Sequence, residues 1–327
     1  MLSCRSTTQA TNAQGRDSVT ERGTPAAIAE GAVRIVIGSS THVGGRSTNE
    51  DSIDVQNLQP ITDGDQELEG HLMILADGMG GYLKGEVASQ MAVETVREMF
   101  EEDPAGDTVP LLKQAFRRAN ERIYSNGQGG SPPQMMGTTL VVAATRGKYA
   151  TIASIGDSRA YLVRAGKLNA ITRDHSLVAD QVELGQITAE EARESPHRNI
   201  LTHALGHKAK LDVKMPSVFE LTLLPEDRLF LCTDGFYDVV SEDDMLAALL
   251  ASPPAEAAPA LVELAVSRGS SDNVSAIVAG AEAAKPRVPA LAQRTDVAPR
   301  RIPPALMAVA AIVALAVIGL LVFLLVL

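Results

Sequence analysis

The amino-acid sequence predicts an α/β (α+β) fold built on two packed antiparallel sheets, with a membrane-spanning helix at its carboxyl end. Three observations carry this. Apolar runs of strand length alternate with segments of helical period between about residues 33 and 281. Short glycine turns, Arg146-Gly147-Lys148 and Arg164-Ala165-Gly166-Lys167, join neighbouring strands, which favours hairpins over crossover units. The last 23 residues, Ala305 to Leu327, carry no charge.

Residues 1–32 are rich in Ser, Thr, Gln, Gly and Ala without periodicity and lack the apolar centre of a signal peptide, so they read as a flexible arm. In the domain over 33–281, strands are expected at 34–38, 72–76, 138–144, 149–155, 160–164, 213–221, 229–232 and 274–278. Helices are expected at 85–100, 111–124, 241–250 and 259–267. Between His175 and Leu205 lie short amphipathic stretches around Gly185, which read as a lid over a site rather than as core.

Residues 282–304 read as a linker, because five prolines disfavour helix and Lys285, Arg287, Arg294, Arg300 and Arg301 outnumber Glu282 and Asp296. As a helix, the following 23 residues would extend roughly 34 Å, enough for a hydrocarbon core of about 30 Å. Arg300 and Arg301 precede the span, so the positive-inside tendency places the domain on the cytoplasmic side of the cell membrane, single-pass.

Four acidic elements end or begin apolar runs: Asn49-Glu50-Asp51-Ser52, Ala76-Asp77-Gly78-Met79-Gly80-Gly81, Thr233-Asp234-Gly235 and Ser271-Asp272-Asn273. A rigid sheet could deliver these carboxylates to one place, where they repel unless hard cations bind among them. Oxygen ligands with little His or Cys suit magnesium or manganese rather than zinc. The two cysteines, Cys4 and Cys232, imply no disulfide framework, and a formal charge of −11 argues against nucleic acid as a partner.

Cysteine-nucleophile, aspartyl-phosphate and nucleotide-binding chemistries fail on residues. A cysteine nucleophile needs an arginine six positions on, where Ala10 and Asp238 stand. An aspartyl-phosphate enzyme needs an aspartate where Met79 stands. The third glycine of a dinucleotide loop would fall at Leu83.

The motifs Arg46-x-x-Asn49-Glu50-Asp51-Ser52, Asp77-Gly78-Met79-Gly80-Gly81, Gly85-Glu86-x-Ala88-Ser89, Gly137-Thr138-Thr139, Gly156-Asp157-Ser158-Arg159, Asp174-His175-Ser176, Leu205-Gly206, Asp234-Gly235 and Asp272-Asn273 occur in one order. In that order the chain resembles the metal-dependent protein serine/threonine phosphatases of type 2C, in their bacterial form, over roughly residues 35–280. The resemblance implies an α-β-β-α sandwich with helices on both outer faces and a metal site in a cleft at one end. It implies two Mn2+ or Mg2+ ions, with Asp77 bridging both, the Gly78 carbonyl adding a ligand, Asp234 and Asp272 completing one ion, and Glu50 and Asp51 serving the other. Asp157 would help hold a third, weaker ion, and Arg46 would bind the substrate phosphate, against the plainer reading of Arg46 as a surface salt bridge. Two such ions activate water for in-line attack, so no covalent intermediate is needed.

Met79 stands where animal-type relatives carry a proton-donating histidine, so a metal-bound water is the expected substitute. His175 reads as a structural histidine and Arg159 as the partner of a nearby carboxylate. The expected substrates are phosphorylated proteins, including a serine/threonine kinase and its targets. The alternatives are a catalytically silent phosphoprotein-binding module of the same fold, or a regulator of an anti-sigma-type switch.

Overall fold

The computed structural model describes residues 33–64, 66–80, 84–128, 136–284 and 317–318. The arm over 1–32, most of the linker and the span over 305–327 lie outside the described residues, apart from Val317 and Ile318. Among the described residues no helix is long and apolar enough to cross a membrane.

In chain order the strands are β1 (Val33–His42), β2 (Asp51–Asp63), β3 (Gln66–Met79), β4 (Gly137–Thr138), β5 (Leu140–Arg146), β6 (Tyr149–Ile155), β7 (Arg159–Arg164), β8 (Lys167–Ala170), β9 (Ser217–Thr222), β10 (Arg228–Cys232) and β11 (Val274–Ala283). The helices are α1 (Lys84–Glu102), α2 (Thr108–Gln128), α3 (Leu177–Glu183), α4 (Ala189–Glu194), α5 (Asp234–Tyr237), α6 (Glu242–Ala251) and α7 (Pro254–Ser267). One sheet has the order β1-β11-β10-β7-β8. The other has the order β2-β3-β5-β6-β9, with β4 paired to the end of β3. All these pairings are antiparallel.

The two-residue period of a strand explains the layering. Along β3, Leu72, Ile74 and Ala76 pack with residues of α1 and α2, whereas Met73 and Leu75 face the other sheet. Along β10, Phe230 and Cys232 pack beneath α6 and α7, whereas Leu229 and Leu231 meet Met73 and Leu75 between the sheets. Central strands buried on both faces therefore read as unbroken apolar runs. The result is four layers with helices outside, as the resemblance implied.

The departures from expectation have local causes. Strand β2 was not anticipated: it is an edge strand of mostly polar residues, with a register shift between Leu58 and Ile61 around Pro60. The strand expected from 213 begins at Ser217, because Val213 stands in solvent and Pro216 offers no N–H to a ladder. The helix expected from 259 begins at Pro254, since a proline in the first turn sacrifices no helical hydrogen bond. Strand β11 runs two residues into the expected linker, with Arg34 and Glu282 paired at 2.8 Å.

Chain connections position the site. The loop after β1 and the turn from β6 to β7 cross between sheets at the same end, where β3 and β10 finish and β2 and β11 start. Leu231, wholly buried between the sheets, tests this frame. Leu231→Ala should lower unfolding free energy by about 2–5 kcal/mol in urea titrations, whereas Leu224→Ala, at a half-exposed position, should cost about 0.5 kcal/mol or less.

Candidate active site

Asp77 is held through its backbone. Thr138 Oγ1 and Thr139 N donate to its carbonyl at 2.8 and 2.9 Å, and its own N–H donates to Thr139 Oγ1 at 3.0 Å. Thr139 Oγ1 also meets Ser158 Oγ at 2.7 Å, tying this strand end to the Asp157 turn. The next residue must be glycine: a Cβ on Gly78 would run into the carbonyl oxygens of Gly85 and Glu50. Asn273 joins the remaining loops. Its Oδ1 accepts from Glu50 N at 2.8 Å, and its Nδ2 donates to the Val43 and Thr48 carbonyls at 2.9 Å each.

These anchors bring Arg46, Glu50, Asp77, Gly78, Asp157, Asp234 and Asp272 to the wall of one cavity of about 360 Å³. Asp51 does not line it. Its carboxylate turns inward, where Oδ2 accepts from Thr233 Oγ1 at 3.1 Å and Ser275 Oγ at 2.7 Å, and Oδ1 has no partner. The acidic pair is thus divided: Glu50 faces the cavity and Asp51 faces the interior.

The electrostatics call for positive charge. Burial, then the charges of Asp51, Asp234, Asp157 and Asp272, hold the Asp77 carboxyl well above the usual range. Burial followed by the Asp234 and Asp174 charges pushes Asp157 up to about 8. Burial and then the Asp272 and Asp238 charges push Asp234 up to about 6. Asp51 rises to about 7, mainly through burial, against the bonds from Ser275 and Thr233. Asp234 Oδ1, like Asp51 Oδ1, is buried without a hydrogen-bond partner. Unsatisfied, mutually repelling oxygens of this kind fit hard divalent cations. Among the described residues, no three His, Cys, Asp or Glu groups already stand close enough to grip one ion. Asp272 is instead turned onto Arg46, Nη2 to Oδ2 at 2.6 Å, which is the salt bridge of the plainer reading.

Residues 40–263 match the family model for protein phosphatase 2C. The chain belongs to the protein phosphatase 2C family. It is 39% identical over 209 residues to the serine/threonine protein phosphatase PstP of Mycobacterium tuberculosis, covering 64% of this chain but only 40% of that relative. It is 34% identical over 212 residues to the serine/threonine phosphatase stp of Listeria monocytogenes, covering 63% of this chain and 83% of the relative. Among solved structures, the M. tuberculosis serine/threonine phosphatase PstP/Ppp matches with a TM-score of 0.66 and 35% identity, covering 77% of this chain and all of that one. The PstP catalytic domain in complex with two manganese ions matches with a TM-score of 0.64 and 34% identity, over the same shares.

Within this phosphatase 2C domain, His175 is structural. Nδ1 accepts from Gly156 N at 3.1 Å, so Nε2 carries the proton and donates to Ser217 Oγ at 3.0 Å, bracing the Asp157 turn. Arg159 grips Asp174 through two bonds of 2.9 and 2.7 Å and lies 3.6 Å over the Tyr237 ring. Tyr237 in turn donates to the Asp157 carbonyl at 3.1 Å. Met79 lines the cavity opposite Gly137. The segment between His175 and Leu205 holds α3, capped by Ser176, and α4, closed by the Thr188–Glu191 capping box. It reaches the cavity through Asn199 and Leu201, and Arg198 lies 3.4 Å from Asp238.

Asn199 and Leu201 fall within the segment expected to lie over the site, whereas His207 was not anticipated as a lining residue. The one clue to His207 in the sequence is its place directly after Leu205-Gly206.

The raised carboxyls have a thermodynamic sign. Their folded-state values exceed the unfolded ones, so their contribution is fully present below about pH 4 and is lost as pH rises through roughly 6–8. In chelator-treated protein the urea midpoint should therefore fall between about pH 5 and pH 8. Asp77→Asn, which removes one repelling charge, should flatten that fall; an unchanged slope would remove the repulsion argument.

Proposed function

We propose that this chain hydrolyses phosphoserine and phosphothreonine esters in proteins. The observation that carries the reading is the single cavity lined by Asp77, Asp157, Asp234, Asp272, Glu50 and Arg46 in a phosphatase 2C domain. When bound, two Mn2+ or Mg2+ ions supply an acidified water and neutralise the phosphate oxygens.

Asp77, the Gly78 carbonyl, Asp234 and Asp272 would hold those ions, with Glu50 on the cavity side and Asp51 bracing it from within. Asp157 would serve a third, weaker site. Arg46 would pass from Asp272 to the substrate phosphate, whose paired oxygens fit a guanidinium fork better than one carboxylate oxygen does. Cys232 takes no part, because burial pushes its thiol far above the reactive range. The lid over 177–201 would shape the choice of peptide. The retained carboxylates favour turnover over a silent binding module.

The chain spans 40% of the mycobacterial relative's length, so substrates and partners are read from this chain's own residues. Its domains are taken as the arm at 1–32, the catalytic domain at 33–281, the linker at 282–304 and a transmembrane helix at 305–327. The uncharged run and the preceding Arg300 and Arg301 support a single-pass anchor with the domain cytoplasmic, near a serine/threonine kinase and its phosphorylated targets.

With manganese, the protein should release phosphate from a phosphothreonine peptide, and chelation should abolish this. Asp77→Ala and Asp234→Ala should each lose at least about a hundredfold in kcat. Arg46→Ala should lower kcat/KM about 10- to 100-fold, since a hydrogen bond to a charged group contributes about 1.5–3 kcal/mol. A folded, metal-loaded protein without turnover would favour the binding module. Truncation after Ala284 should leave peptide turnover intact and shift the protein from the membrane fraction to the soluble one.

A further inference from the structure

The chain that continues from the cavity-lining His207 carries charge of the opposite sign to the acidic cavity wall. From His203 to Lys214 the chain holds Lys208, Lys210, Lys214 and two histidines against Asp212 alone, within a protein of formal charge −11. Surface lysines are ordinarily just solvated, but this segment is fastened to the site. Thr138 N donates to the Leu205 carbonyl at 3.2 Å and Leu205 N donates to the Thr138 carbonyl at 3.0 Å, while Thr138 is the rung opposite Gly78.

Asn120, buried on α2, commits both ends of its carboxamide to the same segment. Its Oδ1 accepts from Gly206 N at 2.9 Å and its Nδ2 donates to the Lys208 carbonyl at 3.0 Å. Gly206 has φ +84°, and a Cβ there would run into Ile123 and the Met136 carbonyl, so this bend admits only glycine. His207, between the two clamps, lines the cavity.

Beyond His207 the three lysines are exposed. None of the three is within ion-pair distance of a carboxylate among the described residues. Two of them share one neighbour: after the Lys214 N–H bond, His203, Lys214 and Lys208 hold the Asp212 carboxyl below its ordinary range.

Resting on the hydrolase reading above, we infer that this clamped basic segment beside the cavity docks acidic side chains flanking the scissile phosphoester, so that the favoured substrate class is phosphoserine or phosphothreonine set among Asp and Glu. An extended peptide places residues two to four positions away at about 7–14 Å from the phosphoester. Attraction over such distances is screened beyond about 8 Å at physiological ionic strength, so the preference should depend on salt.

The test uses the full chain with manganese and one phosphothreonine peptide made with glutamates or with lysines around the phosphorylated residue. The acidic peptide should have about tenfold higher kcat/KM, and this preference should shrink as ionic strength rises from about 0.05 to about 0.5 M. Joint Lys208→Glu, Lys210→Glu and Lys214→Glu substitution should reverse the preference. If that variant fails to fold, the salt titration of the unmodified protein decides alone. Aryl phosphate turnover with a peptide ratio of one at all salt concentrations overturns this inference and leaves the hydrolase reading standing. No aryl phosphate turnover overturns both. A ratio of one, combined with loss of binding to phosphatidylserine vesicles in the triple variant, would assign the lysines to a lipid surface instead.

Discussion

Repulsion among carboxylates fixed at one end of two apolar sheets is the constraint on which the rest of this structure depends. Asp51, Asp77, Asp157 and Asp234 are each driven toward protonation by burial and by the charges of neighbouring carboxylates. Left to relax, such groups would turn outward to water. They are kept together because the backbones that carry them are not free to move: β3 is locked by Thr138 and Thr139, and β10 ends in a turn whose Gly235 abuts the Asn273 carbonyl. The apolar layers behind them, Met73 and Leu75 against Leu229 and Leu231, supply the stability that the acidic end withdraws.

Function then divides between rigid and adjustable parts. The groups proposed to hold cations stand on strand ends or on turns braced by buried side chains, as His175 braces Gly156. The groups proposed to meet substrate are more exposed: Arg46 sits on the loop between β1 and β2, and Asn199 and Leu201 lie in the lid segment. Preorganised charge on fixed elements, with recognition left to loops, is the arrangement that positioning catalysis requires.

Central elements were legible because their physics is local. Strands at 72–76 and 229–232 are buried on both faces and so appear as continuous apolar runs, and the acidic motifs at their ends follow from that placement. Strand β2 was illegible because its polar outer edge cancels the signal, and Pro259 misled because it reads as a helix start yet lies inside α7, which begins at Pro254. Within the site, the residue types of Asp77, Asp234 and Asp272 could be read in order along the chain. The inward turn of Asp51 could not, because it depends on Thr233 and Ser275, more than 180 residues away. His207 escaped notice for the same reason: its relation to Gly137 exists only once Leu205 pairs with Thr138.

Asn273 serves as a clasp, accepting from Glu50 N with one end of its carboxamide and donating to Val43 and Thr48 with the other. Aspartate has the same shape but cannot donate, and it would set another anion beside Asp272. Deamidation, a change of one atom group with no change in size, would therefore unfasten the loop bearing Arg46 and deepen the local repulsion. Asn273 borders the cavity with only 5% of its surface exposed, so the fold leaves little room for water at an amide whose chemical ageing would loosen the site.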